Sequence, residues 1–305
     1  MSAGRPARLA VGVVSAGRVG AVLGAALAAA GHRVVAASGV SRASVGRAAA
    51  LLPGVPLRPP DEAAAGADLV LLAVPDDVLP GLVRGLAAAG GFRPGQIVVH
   101  TSGAHGVAVL DPATAHGVLP LALHPVMTFT GRTEDVARLA GAAVAVTAAE
   151  GEGEAGGLPA AWSVGEALVV EMGGEPVRVP EAVRPLYHAA LAHGANHLIT
   201  LVRDCVEVLE HAGVRPAERL VAPLLSAALD NALRHGDRAL TGPVARGDAG
   251  TVRTHLRELA AVDPDLALTY RTLAARTATR ARRSGLLPGH AADEVRATLD
   301  EEKEA

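Results

Sequence analysis

The stretch from Arg8 to His32 leaves a chain few ways to fold. Leu9 to Val13 is a run of mostly apolar residues of strand length, followed by a tight small-residue turn over Val14 to Gly17. An alanine- and leucine-rich helix then runs to Gly31, a residue suited to the left-handed helix stop. Strand, glycine-bearing turn and helix in this order form the opening of a dinucleotide-binding unit, in which a pyrophosphate rests on the helix N-terminus.

The G-x-G-x-x-G frame falls on Ser15, Ala16, Gly17, Arg18, Val19 and Gly20, so a serine stands where the first glycine belongs. Gly17 still lets a phosphate approach the backbone, and Gly20 still lets helix and strand pack closely, but Ser15 must make the turn with a Cβ. The bland alternative is a strand-to-helix turn that is rich in glycine for packing alone. Position favours the binding reading, because the frame follows a strand and opens a helix.

His32 to Ala37 reads as the second strand. A unit that prefers NAD places an acid at the end of this strand to hold the ribose hydroxyls. Here no acid occurs between Arg33 and Pro60, and Ser38, Ser41 and Arg42 offer hydroxyls and a guanidinium instead. These suit a 2′-phosphate, so the expected cofactor is NADP (NADPH), with Ser41 and Arg42 among its ligands. Arg42 as an ordinary solvated helix-start residue is the alternative.

Asp68 to Val74 is a continuous apolar run broken by Pro75-Asp76-Asp77, as in a parallel strand covered on both faces. A helix over Val78 to Ala89 and a strand over Gln96 to His100 follow. Ligands gather at strand carboxyl ends in open α/β sheets, which puts Val74, Pro75, Asp76, His100, Thr101 and Ser102 on one rim. A further strand is expected over Ala142 to Thr147. Ala148 to Pro159 is glycine-rich with like charges and reads as a mobile loop. Beyond Glu181 the periodicity is helical, with spans at 185–213, 217–235, 251–262, 264–284 and 291–302. The expected architecture is α/β: an N-terminal Rossmann domain with a doubly wound parallel sheet (residues 1–150), a hinge and connecting segment (151–180) that includes a possible strand at Pro176 to Val179, and a C-terminal all-helical domain (181–305) for substrate and dimerisation.

Composition excludes several classes. A net charge of −3 and five aromatic residues in 305 give neither a basic footprint nor a stacking platform for nucleic acid. Mean hydropathy is +0.31, yet uninterrupted apolar runs fall short of the roughly 18 residues of a membrane span, and no signal-peptide core follows Met1. A cytoplasmic protein is expected. Cys205, the single cysteine, excludes an internal disulfide, and on an apolar helical stripe it reads as a buried thiol. Of 28 basic residues only Lys303 is a lysine, so chemistry that needs a buried lysine is closed to this chain.

The segments Val11 to Gly20, Ala73 to Asp77, His100 to Gly103, Leu123 to Pro125, Tyr187 to Ala190 and Thr241 to Asp248 together resemble bacterial Rossmann-like proteins that carry a C-terminal domain of unknown function numbered 2520. The likeness runs from Leu9 to Arg283 and rests on the order of the segments. It implies an NAD(P)-binding domain related to those of deazaflavin-dependent NADP oxidoreductases, pyrroline-5-carboxylate reductases and 6-phosphogluconate-dehydrogenase-like enzymes, and a helical domain that forms a homodimer. It supplies no reaction. Ketopantoate reductases and β-hydroxyacid dehydrogenases use a lysine and an asparagine on the long helix, where this chain has His188, His193, Asn196 and His197 but no lysine.

Reduction of C=O or C=N requires a proton donor near the heteroatom, and imidazole is the side chain that titrates nearest neutrality. His124, set before a proline, and His188 are the candidate acids or orienting groups, with Asn196 and Ser102 hydrogen-bonding the substrate. For each histidine alone, a structural role is the competing assignment. His193 and His197 lie four apart without an evident third ligand, so no metal is expected. Arg246 is a candidate ligand contact, and Asp248 a helix cap. The leading expectation is an NADP(H)-dependent oxidoreductase that moves a hydride to or from a small carbonyl or imine in a cleft between the two domains. A non-catalytic dinucleotide-binding regulatory or scaffold protein is the alternative, ahead of a methyltransferase.

Overall fold

The computed structural model describes residues 8–149 and 160–301. The chain divides into two compact units, residues 1–192 and 193–305. From residue 150 the expected mobile loop lies outside the described residues, as does Lys303.

The first unit runs β1 (Ala10–Val14), α1 (Arg18–Ala29), β2 (Arg33–Ala37), α2 (Arg42–Leu51), α3 (Pro60–Ala65), β3 (Leu69–Leu72), α4 (Leu79–Ala88), β4 (Ile97–His100), α5 (Asp111–Thr114), β5 (Leu119–Pro125), α6 (Glu134–Leu139), β6 (Ala143–Ala148), α7 (Ala160–Glu171), β7 (Glu175–Arg178) and the start of α8 (Arg184–His211). The seven strands lie in the order β2-β1-β3-β4-β5-β6-β7. The chain leaves β1 for β2 on one side and returns for β3 on the other, so a topological switch point opens between β1 and β3.

Burial explains why these runs are strands. All four residues of β3 are buried, and they alternate between faces: Leu69 and Leu71 pack with Leu23 and Leu27 of α1, while Val70 and Leu72 pack with Ala63 and Ala64 of α3 and Val83 of α4. Each such leucine or valine contributes about 1.5–3 kcal/mol by leaving water. Asp68 anchors the foot of β3, accepting from the Ala10 amide at 3.0 Å and from Arg93 at 2.8 Å. α1 stops at Ala29 with Gly31 at φ +99°, as its sequence predicts.

The sheet is mostly parallel, as expected, with β6 antiparallel to β5 and β7 parallel to β6. The first unit also extends past residue 150 to residue 192, since α7 buries Trp162, Leu168 and Val169 in the same core as β5 and β6. The glycine- and glutamate-rich stretch before α7 hides that continuity from a composition reading.

The second unit is helical, with the rest of α8, α9 (Ala217–His235), α10 (Pro243–Arg246), α11 (Ala249–Val262), α12 (Pro264–Arg283) and α13 (Gly289–Glu301). Val252, Leu256, Ala278, Val295 and Leu299 form its core. Asp248 caps α11, its carboxylate accepting from the Thr251 amide at 2.9 Å. Among the described residues no helix is long and apolar enough to cross a membrane.

Candidate active site

A cavity of about 580 Å³ opens at the carboxyl ends of β1, β3, β4 and β5, lined wholly by residues of the first unit. Ser15, Gly17, Arg18 and Val19 form its floor at the start of α1, Ala73 to Asp76 and Thr101 its rim, and His124 and His188 its far wall.

The turn that builds the floor is under strain. Ser15 has φ +74°, the left-handed region that its glycine-frame position requires, and is alone in this among the described non-glycine residues. It is held there from below: its amide donates to Ser38 Oγ at 2.8 Å, and the Ala16 amide to the Ser38 carbonyl at 2.6 Å. A side chain on Gly20 would collide with the Ser15 carbonyl, so the bare helix turn lets that carbonyl tuck in. α1 begins at Gly17 with no side-chain cap and no acid in its first turn. Its free amides and the positive end of its dipole therefore face the cavity, a setting suited to an anion.

Arg18 and Arg47 also line the cavity, and neither has a carboxylate partner among the described residues. Both are seated by Gly131, where a Cβ would lie 2.7 Å from Arg47 Nε and 3.0 Å from Arg18 Cγ. Asp135, fully buried, fixes that loop by accepting from the Thr130 amide at 2.7 Å and the Gly131 amide at 2.8 Å.

On the far wall His124 Nδ1 is 2.7 Å from Tyr187 Oη. The His188 ring stands edge-on to His124 with centroids 6.4 Å apart. Both rings close on Gly103, where a Cβ would lie 2.8 Å from His188 Cδ2 and 2.9 Å from His124 Nε2. Burial, reinforced by the neighbouring Arg184 and His188, pushes the His124 imidazole down to about 4, so it is neutral near pH 7. Burial raises the Tyr187 phenol, against the pull of Arg184. In a neutral His124 that accepts from Tyr187 at Nδ1, the remaining proton is on Nε2, the nitrogen beside Gly103 at the cavity wall.

The structure brings together Ser15, Gly17, Arg18, Val19, Val74, Pro75, Thr101, His124 and His188. Ala16 and Gly20 support the floor from within the core. Ser41 and Arg42 are not among the lining residues: the Ser41 hydroxyl accepts from the Ser44 amide at 3.0 Å as the cap of α2, and Arg42 is exposed. Ser102 is buried behind the rim, with its hydroxyl accepting from the His105 amide at 3.0 Å. Asn196 belongs to the second unit and is exposed on α8. His193 and His197 stand with their Nδ1 atoms 2.8 Å apart, and no cluster of three potential metal ligands occurs among the described residues. Arg47 and Tyr187 are the additions. The signal for Tyr187 was its place beside His188; Arg47 gave none, since its direction depends on how α2 packs.

Residues 1–125 match the model of the Rossmann-like domain, and residues 154–277 match that of the domain of unknown function numbered 2520. The chain thus carries a Rossmann-like domain followed by a domain of that family. No curated protein matches it. Among solved structures it is similar to a protein of Bacteroides fragilis provisionally named an NADP oxidoreductase, with 19% identity and a TM-score of 0.72 over 88% of this chain and 98% of that one. An imine reductase of Streptomyces aurantiacus superposes with a TM-score of 0.63 at 17% identity, over 97% of this chain and 100% of that one. An imine reductase of Myxococcus stipitatus in complex with NADP+ gives 0.62 at 16% identity, over 95% and 99%. At these identities the likeness shows the fold.

Proposed function

We propose that this protein is a dinucleotide-dependent oxidoreductase that prefers NADP(H) and reduces, or forms in reverse, a C=N or C=O bond in a small substrate. The observation that carries this reading is one cavity holding three features: an uncapped helix N-terminus, two arginines without partner carboxylates, and a neutral histidine backed by a phenol. The first two fit the phosphates of a dinucleotide, with Arg18 and Arg47 supplying charge-assisted hydrogen bonds and no acid on β2 to repel a 2′-phosphate. Structural similarity to imine reductases, one of them in complex with NADP+, supports the same class.

A nicotinamide coenzyme supplies the hydride when bound. The chain's own residues manage the proton. His124 gives its Nε2 proton to the substrate nitrogen or oxygen and receives the Tyr187 proton at Nδ1, so the net loss falls on the phenol. His188 stands beside His124 as an orienting group.

We also place a homodimer interface on the second unit. Leu224, Leu229, Leu233 and Ile199 are exposed there, and Leu201, Cys205, Leu220 and Leu273 line an apolar hollow of about 670 Å³ that a second copy would fill.

Titration of the protein with NADPH and NADH, followed by fluorescence, tests the cofactor reading. NADPH binds more tightly, and Arg18→Ala and Arg47→Ala each weaken it by about 10- to 100-fold, as loss of a charge-assisted phosphate contact requires. No affinity for either nucleotide overturns the proposal. Binding without NADPH oxidation across a panel of imines, aldehydes and keto acids leaves a dinucleotide-binding protein that turns nothing over. With a substrate in hand, His124→Ala lowers kcat by about 10²- to 10⁴-fold.

A further inference from the structure

Arg184, the first residue of α8, is 1% exposed, and among the described residues no carboxylate lies within ion-pair distance of it. Its five N–H donors are spent on neutral oxygens. Nε donates to Thr147 Oγ1 at 2.8 Å, Nη1 to the Ser102 and Gly103 carbonyls at 2.9 and 3.5 Å, and Nη2 to the Ala122 and Ala145 carbonyls at 3.2 and 3.3 Å. Thr147 passes its own proton to the Val179 carbonyl. One guanidinium thus ties the loop after β4 to β5 and β6, the segments that carry Gly103 and His124.

Apolar packing would tie these segments at less desolvation cost, because a buried cation with no anion in contact is compensated only in part. The guanidinium carbon lies 5.7 Å from the centre of the Tyr187 ring. Glu181, the acid on the same stretch of chain, supports the guanidinium through its charge but from a distance, because its carboxylate accepts from the Val107 amide at 2.6 Å and the Ala108 amide at 3.2 Å. The other ionisable groups near the phenol are His124, hydrogen-bonded to it from β5, and beyond that ring His188 and Asp76. Among these groups, Tyr187 is the acid that lies beside the guanidinium and is hydrogen-bonded to His124.

We propose that Arg184 is a positioning residue for proton delivery, a permanent buried cation set beside Tyr187 to stabilise the phenolate it becomes when its proton moves through His124 to substrate. The proposal rests on the oxidoreductase reading for its purpose, but not for its test. In balance, the Tyr187 O–H bond breaks, a proton arrives at His124 Nδ1 as another leaves Nε2 for the substrate heteroatom, and the negative charge stays beside Arg184. Solvent protons restore the phenol between turnovers.

The chain has two tyrosines, Tyr187 and Tyr270, so Tyr270→Phe isolates the phenol of interest. Incorporating 2,3-difluorotyrosine, whose phenol is more acidic, allows its ionisation to be followed by absorbance and fluorine NMR in the coenzyme-free protein while the fold is intact. A unit charge near 6 Å at an effective dielectric of about 20 is worth about two pH units. Arg184→Gln therefore raises the Tyr187 midpoint by about one to two units, and Arg184→Lys, which keeps a charge, restores most of the difference. An unchanged midpoint in a folded Arg184→Gln protein overturns the proposal. Should that variant not fold, infrared difference spectra across the titration of the Tyr270→Phe protein decide the matter with Arg184 intact. A guanidinium stretching band that shifts with the phenol, and is lost when Tyr187 is also phenylalanine, is expected; its absence overturns the proposal. Failure to bind NADPH would remove the oxidoreductase reading and leave these spectra unaffected.

Discussion

Gly20→Ala is the substitution that most directly probes the cavity floor. Two terms oppose each other. An alanine inside α1 gains about 1 kcal/mol over glycine from helix propensity. Against this, the new methyl would lie 2.1 Å from the Ser15 carbonyl oxygen and 2.9 Å from Ala73 Cβ. Ordinary C···O contact needs about 3.3 Å, so backbone must move by more than about 1 Å, in a turn already held at φ +74°. Overpacking against rigid backbone costs about 3 kcal/mol, at the upper end of its usual span. The net is a loss of about 2 kcal/mol, or a fall of about 4–8 °C in Tm for a unit of this size. Gly46, inside α2 with nothing within 4 Å of an added Cβ, is the matched control, and Gly46→Ala gains up to about 1 kcal/mol. Thermal melts of both variants, each paired with an NADPH titration, provide the assay. Gly20→Ala should melt lower and bind more weakly, because the displaced Ser15 carbonyl moves the amides of the floor. A Gly20→Ala protein as stable as Gly46→Ala, with unchanged binding, would refute the reasoning.

His100 is fully buried, donating from Nε2 to the Gly106 carbonyl at 2.8 Å, and burial pushes it down from 6.5 to about 4. A folded value below the unfolded one means that the unfolded chain binds the proton first, so stability falls as pH drops from 6.5 towards 4, by about 3 kcal/mol from this group. Urea melts at several pH values should show that slope reduced in His100→Gln; parallel slopes would contradict the assignment. On the second unit, Leu224→Glu with Leu233→Glu places charge on the exposed apolar face, and sedimentation should show dimer giving way to monomer with the helical content kept. A wild-type protein that is monomeric at micromolar concentration would rule that interface out.

What the sequence made legible followed from periodicity and from local turn chemistry. Leu69 to Leu72 is apolar on both faces because it is covered on both, and the cap Asp248 and the stop Gly31 act within a few residues of themselves. The register that brings His124 against Tyr187 spans 63 residues, and no local pattern encodes it. Arg42 is legible as a candidate phosphate ligand because it follows a strand that ends without an acid, whereas Arg47 reaches the cavity only through the way α2 packs on α1. Ser102 lies at the expected strand end, buried behind the rim, where its hydroxyl accepts from the His105 amide inside the loop. α3 and α7 escaped notice for opposite reasons: one is six residues long, and the other follows a stretch whose glycines and glutamates dominate its neighbourhood.

The near absence of lysine acquires a physical meaning at Arg184. A lysine buried to this degree, without an anion, would be driven to lose its proton and its charge. Burial lowers Arg184 as well, but a guanidinium stays protonated in proteins, and its planar fork satisfies five acceptors at once, which an ammonium cannot. A residue that never releases its proton cannot be the acid. It can only hold charge in place, and that obliges the proton to come from a neighbour whose conjugate base the charge stabilises. Tyr187, in contact with His124, meets that requirement, so in the proposed mechanism the buried arginine takes the place of a lysine by stabilising the source of the proton and not by supplying it.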